Sequence, residues 1–472
     1  MLETPDLDPE ITGLTADSRK AASGFLFAAL SGSRTDGARF IADAVAKGAT
    51  AILLGPGVVP VVPEGVAIVR ADEPRRTLAL CAARFAGTQP ATVVAVTGTN
   101  GKTSIAEFAR QIFAACGRQA ASLGTIGIVK PSGADYGGLT TPDPVALHQT
   151  LASLADEGIT HLALEASSHG LDQFRLDGVR LTAAAFNNLG RDHLDYHPSM
   201  DAYLAAKLRL WELLEPGQTA VVNADGPYAK EAIAAAKARG LEIMTTGQAG
   251  DDVRLLEVEA AGFRQRLVIS HAGIEHTVEL PLIGTYQAGN VLVAAGLALA
   301  SGESIDPVLA AFSTLQGVKG RLEVAAEARG GIAVVDYAHK PEALRAALAA
   351  LRPFATGKLV CVVGCGGDRD KGKRPIMGRI AAEDADVAII TDDNPRTEDP
   401  ATIRREMLSD AQGAIEIGDR AEAIRHGISL LGPGDVLLVA GKGHETGQIV
   451  GDQVLPFSDH DEISKAVAEI GE

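Results

Sequence analysis

The segment ATVVAVTGTNGKTS, residues 91–104, constrains the fold more than any other, because an apolar, β-rich run leads through a glycine loop into a helical pattern. In that setting the backbone N–H groups of the loop can wrap phosphate groups. Lys102 would neutralise the terminal phosphates, and the Thr103 hydroxyl would contact a magnesium ion. A tight strand-to-helix turn without a ligand is the alternative, but strand, glycines, lysine and hydroxyl together favour nucleotide binding.

The loop departs from the common phosphate-loop spacing G-x-x-x-x-G-K-[ST]. Gly98 stands three residues before Gly101, whereas the common pattern places its first glycine five residues before the second. A search for the generic pattern would therefore miss it. We assign ATP binding to the whole loop, which comprises Gly98, Thr99, Asn100, Gly101, Lys102, Thr103 and Ser104.

Strand and helix patterns alternate through most of the chain, which predicts an α/β protein with mostly parallel sheets. At about 150 residues per domain, the 472 residues suggest about three domains. The sequence AGTQP, residues 86–90, combines glycine and proline where a new pattern begins, so it predicts a linker. We expect a small N-terminal α/β domain at 1–88, a central phosphate-loop domain at 89–322 and a C-terminal Rossmann-like domain at 323–472.

Each block has its own predicted strands. The N-terminal block has strand patterns at 25–30, 51–54 and 66–69 and a helical pattern at 38–47; the central block adds strands at 161–165, 183–186 and 220–223. The last block has a helix at 341–351 and strands at 332–336, 359–364, 387–391 and 436–440. This last pattern is typical of a doubly wound sheet, whose ligand crevice lies beyond the carboxyl ends of its strands. Asp336, Gly364, Asp392 and Gly441 fall there.

Net charge and composition limit the classes of partner that the chain could bind. With 60 acidic and 43 basic residues, the formal net charge of −17 would repel nucleic acid or an anionic membrane over most of the surface. The N-terminus, MLETPDLDPE, lacks the basic start and apolar core of a signal peptide, and no apolar stretch reaches about 18 residues. We expect a cytoplasmic monomer that binds neither nucleic acid nor membrane.

The cysteines do not indicate a disulfide framework or a metal site. Four of them, Cys81, Cys116, Cys361 and Cys365, are too few for a disulfide scaffold in a chain this long. Cys361 and Cys365 are separated by three residues, but no second Cys/His pair follows at zinc spacing. We expect buried, reduced thiols.

Two residues further along the chain, Glu165 and His193, suggest a metal site. Glu165 stands at a predicted strand end, where its carboxylate could hold a magnesium ion, because hard cations prefer oxygen ligands. His193, in the run NNLGRDHLDYH, is a less usual magnesium ligand. For His193 a helix-capping or core role is the alternative.

The run DDNPR, residues 392–396, follows the apolar strand pattern at 387–391. The proline would fix the backbone, so that neighbouring side chains are presented rigidly at the sheet's crevice. Arg396 offers a planar fork suited to a carboxylate, whereas Asp393 and Asn394 could receive an ammonium group. This combination suits a zwitterionic amino acid, although a proline turn with a solvated arginine is the plain alternative.

Eight motifs occur in one order along the chain: GTNGKTS, EASSHG, NNLGRDHLDYH, YLAAK, DYAHKPEAL, GCGGDRDKGKRP, DDNPR and GKGHE. Together they resemble the ATP-dependent Mur ligases of bacterial cell-wall synthesis, and among these the members that add the third residue of the peptide stem. The resemblance covers about residues 14–461. It implies an acyl-phosphate mechanism, in which a substrate carboxylate attacks the γ-phosphate of ATP and an amino group then displaces phosphate to form an amide.

The resemblance implies the catalytic and metal-binding residues. Lys102 and two Mg²⁺ ions would stabilise the transferring phosphoryl group. Thr103 and Glu165 would hold the ion at the nucleotide phosphates, and His193 would help to hold the second. Lys207, in YLAAK, would be carbamylated by CO₂ and would become an anionic magnesium ligand. Without the resemblance, Lys207 would be interpreted as an exposed helix lysine.

The substrate contacts are implied in the same way. The expected substrates are ATP, UDP-MurNAc-L-Ala-D-Glu and meso-2,6-diaminopimelate. The UDP-sugar and dipeptide would contact Ser18, Ser33, Arg34, Thr35, Thr140, Thr141, Ser167, Gln173 and Arg175. The adenine and ribose of ATP would lie near Asn290, Arg321, Asp336 and His339. Diaminopimelate would contact Arg369, Asp393, Asn394, Pro395, Arg396, Gly441 and Glu445.

Other functions remain open from the sequence. The nearest is the L-lysine-adding ligase of the same family, and folylpolyglutamate synthase shares the phosphate loop. DNPR and the N-terminal block argue against both. A phosphate-loop ATPase or a nucleotide-dependent binding protein, each without ligase chemistry, would show no requirement for an amino acid.

Overall fold

The computed structural model describes residues 2–3, 7–32, 36–135, 139–194 and 196–470. The chain divides into two compact units, Met1–Thr245 with Gly296–Glu303, and Thr246–Ala295 with Ser304–Glu472. Within the described ranges, every helix is too short or not apolar enough to span a bilayer. The fold is α/β with parallel sheets, as the alternating pattern predicts.

The first unit begins with a five-stranded sheet in the order β1-β5-β4-β3-β2. Strands β2 to β5 are parallel, and β1 is antiparallel to β5. Its strands are β1 Leu2–Glu3, β2 Gly13–Thr15, β3 Phe25–Ala28, β4 Ala51–Leu54 and β5 Ala67–Ala71, and its helices are α1 Ile41–Ala46 and α2 Pro74–Ala86. The predicted helix at 38–47 starts as a 3₁₀ turn, Gly37–Phe40, because the Asp36 carboxylate accepts the N–H of Ala38 there.

The same unit contains a larger sheet that presents the phosphate loop. Strands β12, β11, β6, β10 and β7 run parallel in that order, and β8 and β9 extend the β7 edge antiparallel. The strands are β6 Thr92–Thr97, β7 Ala120–Gly124, β8 Gly127–Lys130, β9 Gly133–Asp135, β10 His161–Glu165, β11 Ala183–Phe186, β12 Thr219–Asn223 and β13 Glu242–Gly247. The helices are α3 Lys102–Ala115, α4 Pro144–Asp156, α5 Ser168–Asp172, α6 Met200–Leu208 and α7 Ala229–Ala238, with a 3₁₀ turn at Arg209–Leu213.

The second unit contains the doubly wound sheet, in the order β17-β18-β22-β19-β20-β21, with β17 antiparallel and the rest parallel. Alternate strand residues pack on opposite faces, Cys361 with the helices α10 to α12 and Val362 with α13 and α14. The strands are β17 Glu323–Ala328, β18 Gly331–Asp336, β19 Leu359–Val363, β20 Val387–Ile390, β21 Ile415–Glu416 and β22 Val436–Ala440. The helices are α10 Pro341–Leu351, α11 Lys373–Asp384, α12 Pro400–Leu408, α13 Arg420–Ser429 and α14 Asp459–Glu469.

Two antiparallel elements of this unit were not predicted from the sequence. A three-stranded meander comprises β14 Val253–Ala261, β15 Arg264–His271 and β16 Ile274–Leu280; a hairpin comprises β23 Gly447–Val450 and β24 Gln453–Pro456. Helices α8 Thr285–Ala300 and α9 Ile305–Ala311 complete the element order. Strand β24 is exposed and β23 is mostly half-buried, so they lack the apolar runs by which fully buried strands are recognised.

All four cysteines are free thiols. Cys361 and Cys365 are buried, as expected, and burial raises the pKa of each thiol to about 12. Cys81 and Cys116 are only half-buried, which corrects the expectation for these two. Cys81 lies within α2, and Cys116 is the residue that follows the end of α3.

Candidate active site

The phosphate loop is held by the segment that follows β11. Gly101, at the N-terminus of α3, has a φ of +84°, a backbone conformation that glycine adopts without strain. The Asn100 N–H donates to the Asn188 side-chain oxygen at 3.0 Å, and the Thr99 N–H donates to the Asn188 carbonyl at 3.0 Å. The Thr99 hydroxyl accepts the N–H of Gly190 at 2.8 Å. The motif NNLG therefore fixes the loop from outside.

Lys102 and Lys207 converge on this loop. Lys102 Nζ donates to the carbonyl oxygens of Gly98 at 2.8 Å and Thr99 at 3.1 Å. Lys207 Nζ donates to the same Gly98 oxygen at 2.7 Å and lies 4.6 Å from the centre of the Tyr203 ring. The side chain of Lys207 is only 1 % exposed, which excludes the interpretation as a surface lysine.

The pKa of Lys207 is lowered well below the ordinary lysine value. Burial is the main cause, because it disfavours the charged ammonium, and the neighbouring charge of Lys102 adds to it. Asp192 acts in the opposite direction. The site therefore favours the neutral amine of Lys207 more than water does.

Glu165 ends β10 next to the strand that feeds the loop, since it pairs in register with Val96 of β6. Its carboxylate is 2 % exposed and accepts the Thr125 N–H at 2.7 Å and the Thr125 hydroxyl at 3.2 Å. Thr103 is also buried, in the first turn of α3. Among the described residues, no cluster of three or more His, Cys, Asp or Glu side chains forms a ready-made metal site.

His193 lies in a group of aromatic and imidazole rings. It has a φ of +52°, its Nε2 is 3.6 Å from the Asp192 carboxylate, and its ring centre is 4.9 Å from that of His169. The ring of Tyr203 lies 6.1 Å away, and the hydroxyl of Tyr203 is 3.2 Å from Thr99 Oγ1. The histidine is therefore joined through Tyr203 to the phosphate loop, and a purely core role is excluded by its 43 % exposed side chain.

The residues predicted for the dipeptide form one hydrogen-bonded group. The Thr141 hydroxyl donates to the Glu165 carbonyl at 2.9 Å and accepts from the N–H and hydroxyl of Ser167. Arg175 donates to the Thr141 carbonyl at 2.7 Å and to the Gln173 side-chain oxygen at 2.8 Å. The hydroxyl of Thr140 is 3.0 Å from that of Thr125, the residue that holds Glu165.

The residues predicted for the nucleotide sugar are less well defined. Ser18 opens a 3₁₀ turn, Ser18–Lys20, and its carbonyl accepts a hydrogen bond from Lys47 Nζ at 2.9 Å. Ser33, Arg34 and Thr35 lie outside the described residues. Their contact with the nucleotide sugar stays a prediction.

Four residues predicted near adenine and ribose lie in the second unit. The buried Asp336 carboxylate accepts the N–H groups of Leu322 and Ala338, each at 2.8 Å, and burial raises the pKa of this carboxyl. The Arg321 guanidinium lies 4.8 Å from the centre of the Tyr337 ring. Gln287 connects two of the predicted residues, because its side chain accepts from Asn290 at 3.0 Å and donates to the Arg321 carbonyl at 3.4 Å.

A cavity of about 570 Å³ opens in the second unit, at the carboxyl ends of the parallel strands. Six of the seven residues predicted for diaminopimelate line it: Arg369, Asp393, Asn394, Arg396, Gly441 and Glu445. A Cβ atom at Gly441 would lie 2.7 Å from the Asp393 carboxylate. Any larger residue at position 441 would therefore displace this carboxylate. His339, which the sequence analysis assigned to the nucleotide, also lines this cavity.

Arg396 is held in a left-handed conformation, with a φ of +52°, by the unpredicted hairpin. Its N–H donates to the Ile449 carbonyl at 3.0 Å, and its carbonyl accepts from the N–H of Gly451 at 2.7 Å. Its guanidinium donates to the Gly367 carbonyl at 2.8 Å. The rigidity of this loop thus comes from the hairpin and the 366–369 loop as well as from Pro395.

Sequence reasoning missed several charged residues that hold the cavity loops. Arg374 is fully buried and donates to Glu398 at 2.9 and 3.0 Å and to Glu406 at 2.7 Å. Arg420 and Asp459 form a fully buried pair at 2.7 Å, from which Arg420 also reaches the Ala440 carbonyl at 3.0 Å. Arg374 stands within the motif GCGGDRDKGKRP, which was a signal, whereas Arg420 stands in none of the eight motifs.

Comparisons with known proteins cover nearly the whole chain. Three family models match: the Mur ligase family catalytic domain at residues 10–85, the Mur ligase middle domain at 96–298, and the Mur ligase glutamate ligase domain at 320–443.

Individual relatives are similar over nearly their full length. A UDP-N-acetylmuramoyl-L-alanyl-D-glutamate--2,6-diaminopimelate ligase from Agrobacterium fabrum is 55 % identical over 98 % of this chain and 94 % of its own. One of the same name from Bradyrhizobium diazoefficiens is 57 % identical over 97 % and 95 %. A solved structure with that enzyme name has a TM-score of 0.75 and 32 % identity, covering 98 % of this chain and 96 % of its own.

Proposed function

The chain belongs to the Mur ligase family, and we propose that it ligates meso-2,6-diaminopimelate to UDP-MurNAc-L-Ala-D-Glu with conversion of ATP to ADP and phosphate. The reaction proceeds through an acyl phosphate, and it belongs to cytoplasmic peptidoglycan synthesis. The names of the two relatives and of the solved structure support this substrate choice.

The charge pattern of the 570 Å³ cavity is the observation that supports the choice of amino acid most directly. Arg369 and Arg396 offer guanidinium groups for carboxylates, and Asp393 and Glu445 offer carboxylates for ammonium groups. Diaminopimelate carries two groups of each kind. L-Lysine lacks the second carboxylate, so it would leave the half-buried Arg396 without its anion.

The phosphate loop supports ATP use. Backbone N–H groups of the loop and the N-terminus of α3 suit the phosphates, and Lys102 adds a cation next to them. A hydroxyl and a carboxylate, from Thr103 and Glu165, are the hard oxygen donors that magnesium takes beside water and substrate phosphates. Bound magnesium would supply positive charge to the transferring phosphoryl oxygens. His193 is proposed to help with a second ion.

We extend the proposal to a carbamate on Lys207. A neutral amine reacts with CO₂ to form an N-carboxylate and release one proton, and the lowered pKa of Lys207 favours the neutral amine. The product is an oxygen donor where an ammonium stood. Its position beside Lys102 and the Gly98 carbonyl supports a role next to the phosphates.

The remaining assignments rest on the family resemblance. Ser18, Ser33, Arg34 and Thr35 would bind the nucleotide sugar, and the hydrogen-bonded group of Thr140, Thr141, Ser167, Gln173 and Arg175 would bind the dipeptide. The three family matches support the division at 1–88, 89–322 and 323–472 without fixing its limits. We propose that the enzyme acts as a monomer in the cytoplasm.

A phosphate-release assay across a panel of amino acids tests reaction class and specificity together. With ATP, magnesium and UDP-MurNAc-L-Ala-D-Glu present, phosphate should appear only when meso-2,6-diaminopimelate is added, and in equal amount to the tripeptide product. Phosphate release without any amino acid would indicate an ATPase instead. Equal use of L-lysine would indicate the lysine-adding member of the family.

A further inference from the structure

Lys442 is a fully buried lysine beside the amino-acid cavity. It lies two residues after the end of β22, in the motif GKGHE, and its side chain is 0 % exposed. Its ammonium nitrogen lies 2.9 Å from the Asn394 side-chain oxygen and 3.3 Å from Glu445 Oε2. Burial of a cation costs free energy unless the cation is paired and hydrogen-bonded. The contacts with Asn394 and Glu445 therefore offset the cost of burying Lys442.

Asn394 connects the same groups through its amide. Its side-chain oxygen also accepts the Ile449 N–H at 2.9 Å, and its amide nitrogen donates to Glu445 Oε2 at 3.0 Å. A carbonyl oxygen has two lone pairs, and Lys442 and Ile449 use both. The side chain of Asn394 therefore has no acceptor capacity left for an ammonium group of a substrate.

The hydrogen-bonded group of Lys442, Asn394 and Glu445, here called the brace, is connected to Arg396 through Ile449. Ile449 donates its N–H to the Asn394 side chain and accepts the Arg396 N–H with its carbonyl. Gln448, the residue before it, donates to the Asp393 carbonyl at 2.7 Å. The hairpin thus fixes the loop that carries Asp393 and Arg396, and Lys442 ties Glu445 to that loop.

We propose that Lys442 is a positioning residue for amino-acid selection: with the Asn394 side chain it holds the Glu445 carboxylate at a fixed place relative to the Arg396 guanidinium. The cavity then favours an amino acid whose ammonium group can reach Glu445 while its distal carboxylate reaches Arg396. Asn394 acts as a brace and not as a ligand for the substrate's ammonium group. This inference rests on the proposed function, because it assumes an amino acid with a second carboxylate.

The variant Lys442→Met tests the proposal, since methionine keeps a similar apolar length and removes the ammonium. We expect the KM for meso-2,6-diaminopimelate to rise at least ten-fold, while kcat and the KM values for ATP and UDP-MurNAc-L-Ala-D-Glu stay within two-fold. The preference for diaminopimelate over L-lysine, as a ratio of kcat/KM, should fall by a similar factor. The matched control is Lys465→Met, a lysine of α14 whose side chain is 66 % exposed, and it should behave as the wild type.

A merely structural role predicts a different result. Loss of folded enzyme would lower kcat for every substrate and leave each KM unchanged, and that pattern would overturn the proposal. Asn394→Ala provides a second arm with the same expected KM change, and Lys442→Gln, which also removes the ammonium, replaces Lys442→Met if that variant does not fold. Where both fold, the double variant should be no worse than the more affected single variant, because one brace is broken in each; additive losses would contradict a shared brace.

The wild-type amino-acid panel separates this inference from the proposed function. If the wild type does not require diaminopimelate, the proposed function fails. If it does, and Lys442→Met keeps the wild-type KM and selectivity, only the positioning role of Lys442 fails.

Discussion

Lys102 and Lys207 donate hydrogen bonds to the same acceptor, the carbonyl oxygen of Gly98, at 2.8 and 2.7 Å. Two ammonium groups that share one neutral acceptor repel each other, and this contributes to the lowered pKa of Lys207. Carbamylation would turn the repulsion into attraction, because the Lys207 side chain would then be an anion beside the Lys102 cation. Under the proposed modification, the buried Lys207 would carry the carbamate and Lys102 would keep its positive charge.

The first prediction concerns this modification. Lys207→Ala should lose at least a hundred-fold in kcat, and ¹³C-labelled bicarbonate should give a carbamate signal in the wild type that this variant lacks. Lys230→Ala, at an exposed lysine of α7, is the matched control and should keep both signal and activity. Normal turnover by Lys207→Ala in CO₂-depleted buffer would refute the carbamate.

The second prediction concerns the guanidinium of Arg396. Arg396→Ala should raise the KM for diaminopimelate by about ten- to a hundred-fold, which corresponds to about 1–3 kcal/mol for a buried partner left unpaired. The KM for ATP should change less than two-fold. Arg345→Ala, at a half-exposed arginine of α10 on the same unit, serves as the control. A parallel rise in both KM values would show that Arg396 supports the fold and not the amino acid.

The strands and loops that carry the site were predictable because their signals are local. Eight predicted strands coincide with the observed limits or differ by one residue, as His161–Glu165 and Val436–Ala440 illustrate. An apolar run followed by a charged or glycine-rich turn identifies such a strand end without knowledge of its neighbours. For the same reason Glu165 and Arg396 could be singled out before any contact was known.

The residues that hold the site residues in position were not predictable, because their contacts join segments that are distant in the sequence. Ile449 braces Asn394 across 55 residues, and its hairpin has two short strands, one mostly half-buried and one exposed, of mixed composition and without a clear period. Lys442 and Arg420 carry charge, which in a sequence indicates surface, yet both are buried with partners from other loops. The family resemblance supplied residue roles, but tertiary structure supplied the reasons for their positions.

The third prediction concerns the place of Glu165. A Cβ atom at Gly124 would lie 2.0 Å from Glu165 Oε1, so Gly124→Ala must displace the buried carboxylate from the Thr125 N–H. We expect a higher magnesium concentration for half-maximal activity and about a ten-fold loss of kcat. Gly289→Ala in α8 is the control, because nothing lies within 4 Å of its added Cβ.

Glu165→Gln provides the complementary case. Its side-chain oxygen can still accept the Thr125 N–H, but the charge is gone, so the magnesium requirement should rise without a comparable loss of thermal stability. An unchanged magnesium titration in both variants would remove Glu165 from the proposed metal site.

The last prediction concerns stability at acid pH. Hydrogen bonds from Arg374, with further ones from the Asp368 N–H and Lys371, lower the pKa of Glu398 to about 2. The unfolded chain, in which this carboxyl has its ordinary pKa of about 4.5, therefore binds the proton more readily than the folded chain below about pH 5. The contribution of Glu398 is present above pH 4.5 and is lost as the pH falls towards 2.

Glu398→Gln lacks this contribution at every pH. The free energy of unfolding of the wild type should therefore exceed that of Glu398→Gln at neutral pH, and the difference should shrink between pH 5 and pH 2, as measured by denaturant titration at each pH. Glu383→Gln removes an exposed carboxylate that is 3.7 Å from Arg345, and its difference from the wild type should vary much less. A constant difference for Glu398→Gln across this range would mean that Arg374 does not hold Glu398 in solution, and the link between the loops of Arg369 and Arg396 would then need another cause.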